Sequence, residues 1–244
     1  YVDQDYPTTV YWGDTHLHTS MSTDAFVSSK YGMNPVGRLS SDDVYAFARG
    51  ETVTSTSGQK VKLSRPLDFL VVADHAENLG LMYSLASGDP AFLKTVKGRV
   101  LYEKFRTVRQ KNSMEAFAFI AKELGDVFTE YYDANNQIFR ASMWEKTIKN
   151  TERNNKPHQF TAFIGYEWTA GIWAKPGGGW WHRVVIFKDG ANKVEQVLPF
   201  SQIDSMNPED LWSYLANYEK ITGGEVLAIP HNSNLSGGRM FMLK

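Results

Sequence analysis

The 244-residue chain contains no cysteine. That absence removes disulfides, thiolate nucleophiles, iron–sulfur clusters and cysteine-ligated zinc, and it leaves imidazole and carboxylate as the strong metal ligands available. It also suits an exported protein slightly better than a cytosolic one, so a periplasmic or secreted location is favoured. An excess of either charge is lacking too: 26 Lys and Arg stand against 27 Asp and Glu, for a formal net charge of −1. With no basic field to hold a polyanion, generic nucleic-acid binding is not expected. The longest apolar runs, residues 69–73 and 116–121, fall far short of the ~18 residues needed to cross a bilayer. No membrane span is expected, and there are no internal repeats and no low-complexity tract. The chain opens at Tyr1 without a methionine and closes at Lys244 in a Gly-rich stretch. It therefore reads as cut at both ends, by signal-peptide removal or trimming.

What is present is an alternation of short strands and helices. Residues 9–12, 67–73, 160–168, 182–187 and 225–229 are β-branched or aromatic runs bounded by Gly, Pro, Asp or Asn, which predicts five strands. Asn207-Pro208-Glu209-Asp210 has a cap residue, a proline at the first helical position and two acids in the first turn. Leu211, Tyr214, Leu215 and Tyr218 follow at helical spacing, and Gly223 ends the helix. Ser41 to Gly50 predicts another helix. Residues 89–153 carry no strand run and three helical patterns: one opened by Asp89-Pro90, one from Ser113 to Gly125, and one from about Asn136 through Ile148. Strands alternating with helices predict a parallel sheet. The expected organisation is an α/β core over residues 1–88 and 157–244, with a helical insertion over residues 89–156.

The chemistry-bearing residues sit at strand ends. In Gly13-Asp14-Thr15-His16-Leu17-His18-Thr19, residues two apart share a face of extended backbone, so His16 and His18 aim together while Leu17 points away. An isolated His-x-His is equally compatible with two polar surface histidines. However, His75, His182 and His231 also adjoin predicted strands, as does Glu167, and of the six histidines only His158 lies in a polar loop. Residues delivered from the ends of several parallel strands converge on one crevice, where they could close around metal ions. Taken singly, His75 could be a core histidine, Glu167 a salt-bridge partner, and His182 part of an aromatic lid after the loop at residues 175–181. The Trp180-Trp181 pair could stack on a sugar or base, or pack in the core. Asp74, next to His75, could orient an imidazole or cap a turn.

Four of these segments, His16-Leu17-His18, Asp74-His75, Gly165-Tyr166-Glu167 and Ile229-Pro230-His231, occur in an order that resembles the PHP superfamily, named for polymerase and histidinol phosphatase. The stretch from Tyr11 to Ser20 is similar to a PHP-related family of larger, often exported bacterial proteins with no assigned activity. The resemblance implies a distorted (β/α)7 barrel holding three divalent metals. His16, His18 and Glu167 would hold the first ion, Glu167 would bridge to a second held by His182 and His231, and Asp24 and His75 would hold a third. Two features depart from the family pattern. Asp24 lies six residues after His18 and precedes Ala25, where the family usually has a spacing of five followed by glycine. The family's final Asp-x-His does not occur between His231 and Lys244. Hence the barrel is expected to be incomplete at its C-terminal end and to be completed by further polypeptide, as a continuation or a second chain.

Two divalent ions bridged by a carboxylate lower the pKa of a shared water and clamp the oxygens of an in-line displacement, which is phosphoester hydrolysis. Histidine-rich ligation suits Zn²⁺ or Mn²⁺, with Fe²⁺ possible, over Mg²⁺ or Ca²⁺. The expected function is thus a phosphoesterase with two or three ions and a metal-bound hydroxide, acting on a small or oligomeric phosphate ester. Arg38, Arg183 and Arg239 are candidates to fork onto the phosphate. Two alternatives remain open: an amidohydrolase-like enzyme cleaving C–N or ester bonds, and a catalytically degenerate module serving as a structural or binding domain.

Overall fold

The structure, a computed structural model, describes residues 8–28, 39–109, 137–171 and 179–241. In chain order the elements begin with β1 (Gly13–Leu17), α1 (Thr23–Ser28), α2 (Ser41–Ala48), β2 (Val53–Thr54), β3 (Lys60–Val61) and β4 (Phe69–Val72). Next come α3 (Leu81–Ser87), α4 (Pro90–Leu93), α5 (Val96–Arg109), α6 (Gln137–Asn154), β5 (Thr161–Phe163) and β6 (Gly165–Gly171). The last are β7 (Trp180–Phe187), α7 (Ala191–Val194), α8 (Pro208–Thr222), β8 (Val226–His231) and a 3₁₀ turn, Ser233–Leu235. The predicted helix from Ser113 to Gly125 lies outside the described residues. Among those described, no helix is long and apolar enough to cross a membrane.

Local sequence explains the better-defined helices. Ser40 caps α2 reciprocally, its hydroxyl accepting from the Asp43 amide at 3.3 Å while the Asp43 carboxylate accepts from the Ser40 amide at 2.8 Å. Pro208 opens α8, Gly223 ends it at φ 62°, and Leu211, Leu215 and Tyr218 bury one stripe. The short α1, α3 and α7 are not anticipated by periodicity, because four to seven residues are too few to show one.

The sheets do not form the expected (β/α)7 barrel. The described strands make sheets of three, two and three strands, ordered β1-β4-β5, β2-β3 and β6-β7-β8, and nothing closes them into a cylinder. Parallel pairing holds only for the first sheet; β6-β7 and β7-β8 run antiparallel. The physical reason is visible at the β6–β7 connection, where eight residues separate Gly171 from Trp180, fewer than the dozen or so a parallel crossover needs. Two strands are displaced from expectation as well. Residues 9–12 are not a strand; β1 starts at Gly13 and contains His16 instead of preceding it. The single run expected over 160–168 breaks at Ile164 into β5, paired with β4, and β6, paired with β7.

That break joins the two larger sheets. The Glu167 amide donates to the Asp74 carbonyl at 2.9 Å, and the Ala76 amide donates to the Glu167 carbonyl at 2.8 Å, so the chain beyond β4 pairs with β6 at one point. Gly165 sits at the joint. A Cβ there would lie 2.6 Å from the Val71 side chain and 2.7 Å from the Val185 carbonyl, so only hydrogen fits.

Side-chain alternation then separates two faces. Tyr166, Trp168, Val185 and Phe187 pack in the main core with Met143, Trp144 and Ile148 of α6 and Leu211, Leu215 and Tyr218 of α8. A second cluster packs Val44, Tyr45 and Ala48 of α2 on Leu70 and Val72 of β4. The remaining face carries Val71, Ala73, Val184 and Ile186, and it opens into an apolar groove of about 470 Å³ lined by Phe69, Phe163 and Ile229 among others. Glu167 belongs to this face, at its polar end.

Candidate metal centre

Strand β1 delivers the first two imidazoles. Asp14 pairs with Leu70 and Leu17 with Val72, so three steps along β1 match two along β4, and the Asp14 carboxylate accepts the His16 amide at 2.8 Å within this bulge. Leu17 packs toward the α2 cluster, leaving His16 and His18 on the other side, as their spacing predicts. Both Nε2 atoms lie 2.8 Å from Glu167 Oε2, and 3.0 Å from each other.

The other oxygen of the same carboxylate faces a second group. Around Glu167 Oε1 stand His182 Nδ1 in direct contact, His231 Nε2 at 3.4 Å and His75 Nδ1 at 3.5 Å. The antiparallel register places His182 opposite both Thr169 and His231, so three neighbouring strands present side chains to one point. Rings from the two ends of the strand order meet there: the His16 and His231 centroids are 4.0 Å apart. Asp24, on α1, approaches from the solvent side, with Oδ1 3.3 Å from His18 Nδ1 and Oδ2 3.5 Å from His75 Nε2. All seven residues proposed as ligands, His16, His18, Asp24, His75, Glu167, His182 and His231, are therefore brought together, while His158 is exposed elsewhere at φ 67°.

Electrostatics match the geometry. Glu167 is fully buried, which by itself raises the pKa of a carboxyl. Close contacts with His16, His18, His182 and His231 outweigh that burial and hold the group far below the usual carboxylate range. Burial also works against a charged His18, yet its bonds to Asp24 and Glu167 prevail and raise it to about 10. Asp24 is lowered in turn, the contacts with His18 and His75 overriding desolvation.

Do these residues fit a metal? Donors around a tetrahedral zinc ion at ~2.0–2.1 Å sit about 3.3 Å apart, within the spread of the separations given above. Two groups have ligand atoms all within 4.8 Å of one another, His16 with Glu167 and His231, and His18 with His75 and Glu167. Both include Glu167. The two ring nitrogens of the half-buried His231 are shielded from solvent, and Nε2 has no better partner among the described residues than Glu167 Oε1 at 3.4 Å, which leaves the imidazole poorly satisfied in the absence of an ion. The centre can hold metal ions. The expected first trio is compact as well, with His16 Nε2, His18 Nε2 and Glu167 Oε2 all within 3.0 Å of one another.

Several supporting roles differ from expectation. Asp74 does not orient an imidazole through its side chain; buried, it accepts the Thr19 amide at 2.6 Å and the Thr19 hydroxyl at 2.7 Å, which fixes the chain just after His18. Ser22 and Thr169 do the orienting. Ser22 Oγ is 3.0 Å from His18 Nδ1 and accepts the His75 amide at 2.8 Å, while Thr169 Oγ1 is 2.7 Å from His75 Nδ1 and donates to Glu167 Oε1 at 3.1 Å. Thr169 was findable in the sequence, being two residues after Glu167 on one strand. Glu77 ties the surroundings together by accepting the Thr169 and Gln202 amides at 3.1 and 2.9 Å, and burial pushes its carboxyl up to about 8.

The arginines proposed for phosphate binding are not assembled here. Arg183, adjacent to His182, necessarily faces the other side of β7. It is buried there with its guanidinium 4.7 Å from the Trp212 ring centroid and Nη1 3.1 Å from Met240 Sδ. Arg239 is exposed in the turn after Ser236, and Arg38 lies outside the described residues.

Neither a curated protein nor a solved structure matches the chain. A family model described as protein of unknown function (DUF3604) matches residues 5–244, and by that near-complete match the chain belongs to the DUF3604 family.

Proposed function

We propose that the chain is a metal-dependent hydrolase that cleaves phosphate esters. The observation that carries this reading is the division of Glu167: one carboxylate oxygen meets His16 and His18, and the other meets His75, His182 and His231. One ion would be held by His16, His18 and Glu167 on one side of the carboxylate, and a second by His182, His231 and Glu167 on the other, with Asp24 and His75 completing the surroundings. Imidazole-rich ligation favours Zn²⁺ or Mn²⁺, then Fe²⁺, over Mg²⁺ and Ca²⁺. When bound, such a carboxylate-bridged pair supplies an acidified water and neutralises charge on the ester oxygens. The chain's own residues do the rest: Ser22 and Thr169 set the imidazole orientations, and the buried Glu167 excludes bulk water from the shared edge. Since no lysine or arginine joins the cluster among the described residues, the ester's negative charge would fall to the ions. The ordered likeness of the four histidine and glutamate segments to the PHP superfamily supports the same chemistry.

The test is hydrolysis of a panel of aryl phosphate mono- and diesters by protein loaded with Mn²⁺ or Zn²⁺, with and without chelator. Chelator-sensitive turnover that disappears in Glu167→Gln is expected. Metal-loaded protein inert toward the whole panel would abandon the hydrolase for a metal-binding module.

A further inference from the structure

Beside the centre lies a cavity of about 350 Å³, near the lower end of the range for small-ligand pockets. It shares Asp24, His75 and Thr169 with the metal cluster and its supports, whereas the larger apolar groove on the Val71 face shares none of the seven ligands. Most residues lining the cavity are polar, yet the surface they turn toward it is mostly carbon. The reason is that their polar atoms are engaged elsewhere. Asp24 faces His18 and His75. Thr169 Oγ1 is 2.7 Å from His75 Nδ1 and donates to Glu167, and the Glu77 carboxyl accepts the Thr169 and Gln202 amides. Thr23 Oγ1 and Asn78 Oδ1 are buried beneath the wall, where no occupant reaches them. Two side-chain amides remain, on the half-buried Asn78 and Gln202. A sugar or polyol would give up hydration at several hydroxyls and recover at most these two partners. No lysine or arginine lines the cavity, so an anionic group finds no partner either. An apolar group gives up no hydrogen bonds of its own and removes carbon surface from water. Trp180 supplies the aromatic wall, its ring stacked on His182 with centroids 5.7 Å apart and planes at 27°, so the apolar surface begins at the cluster itself.

We propose that this cavity receives the alcohol half of the ester, and that this alcohol is uncharged and apolar. The substrate class is then phosphate esters of apolar alcohols, as distinct from phosphorylated sugars, polyols or hydroxy acids, an assignment that rests on the hydrolase reading above. In the reaction a P–O bond forms from water as the P–O bond to the alcohol breaks, and the proton from water ends on the departing alcohol oxygen. Hydrolysis needs no further reactant.

The experiment compares benzyl phosphate, glycerol 3-phosphate and 3-phosphoglycerate as substrates of metal-loaded protein, three esters of primary alcohols that differ in the polarity of the alcohol. Benzyl phosphate is expected to exceed both others in kcat/KM by about tenfold or more. That advantage should shrink by a similar factor in Trp180→Ala and survive in Trp180→Phe, which keeps an apolar ring at the wall. Gln202→Leu, which adds apolar surface to the lining, should raise it, and serves where Trp180→Ala fails to fold. Circular dichroism and metal analysis verify that each variant is folded and loaded. Equal kcat/KM for the three esters, or an advantage that neither Trp180→Ala nor Gln202→Leu changes, overturns the apolar assignment and leaves the hydrolase standing. Failure to turn over any of the three removes the hydrolase reading, and binding of 2-naphthol, followed by its fluorescence, then decides the cavity: binding that weakens in Trp180→Ala but not in Trp180→Phe upholds an apolar ligand, and no binding, or binding indifferent to Trp180, overturns it.

Discussion

At Glu167, Asp24 and Thr169, three side chains within one cluster, the consequences of substitution differ in kind. Glu167 contacts imidazoles from both sides, so Glu167→Gln is expected to lose two ions, whereas Asp24→Ala, removing an exposed partner of His18 and His75, should lose one at most. Inductively coupled plasma analysis of the purified variants measures this directly, and unchanged metal content in Glu167→Gln would disprove the bridging role. Thr169→Val keeps the shape of the side chain but removes the hydroxyl that orients His75 and donates to Glu167. Metal affinity should fall about 10- to 100-fold, as read by competition with a chromogenic chelator. The clustering of His16, His18, His75, Glu167, His182 and His231 was legible in the sequence because each lies in or close to a predicted strand, whereas Asp24, on α1, was pointed to by the family resemblance alone. Ser22 and Thr169 were less so, since a hydroxyl carries no motif until the imidazole beside it is located. Arg183 was misassigned because its neighbour in sequence, His182, lies on the opposite face of the same strand.

Among the elements, β6 has the tightest surroundings, because it must pair with β7 while its Glu167 peptide bonds to the chain beyond β4. Gly165→Ala drives a methyl group against Val71 and the Val185 carbonyl and should destabilise the fold by about 1–3 kcal/mol, measured by urea unfolding. Helix α6 is tethered differently, through Arg140, whose guanidinium forks onto Asp204 at 3.1 and 2.7 Å and also donates to the Pro199 carbonyl at 2.9 Å. Desolvation works against the charged Asp204, but the bonds from Arg140 outweigh it and lower the pKa below the ordinary 3.8. A lowered carboxyl stabilises the fold above its unfolded pKa and loses that contribution as pH falls through the folded value. Wild type should therefore exceed Asp204→Asn in stability above about pH 4, and the gap should close as the pH is lowered further; a gap that persists unchanged to pH 2 would argue against the ion pair. Strand and helix content was largely readable from β-branched runs and capping residues. Pairing direction was not, because antiparallel β7 and β8 have the same apolar composition as buried parallel strands, and the bulge at Asp14 leaves no trace in residue type.

For the molecule as a whole, the residues that could hold a metal come from β1 and the residue after it, the segment after β4, β6 and β8, so an ion bound there would favour the folded chain. Each ion at a free concentration of 100 Kd adds about 2.7 kcal/mol to stability, which for a chain of this size raises Tm by about 5–10 °C. Differential scanning calorimetry before and after chelation should show a fall of at least that size, and an unchanged Tm would mean that the centre binds no ion under those conditions. The strands on either side of the cluster belong to separate sheets that meet through the backbone of Glu167. The peptide that carries the carboxylate between the two imidazole groups thus also helps to join the two sheets. With ions held as proposed, any relative shift of the two sheets would move the His16 and His18 side against the His182 and His231 side. Substitutions buried at that join, far from any ligand atom, would register first in how fast the protein exchanges its ions.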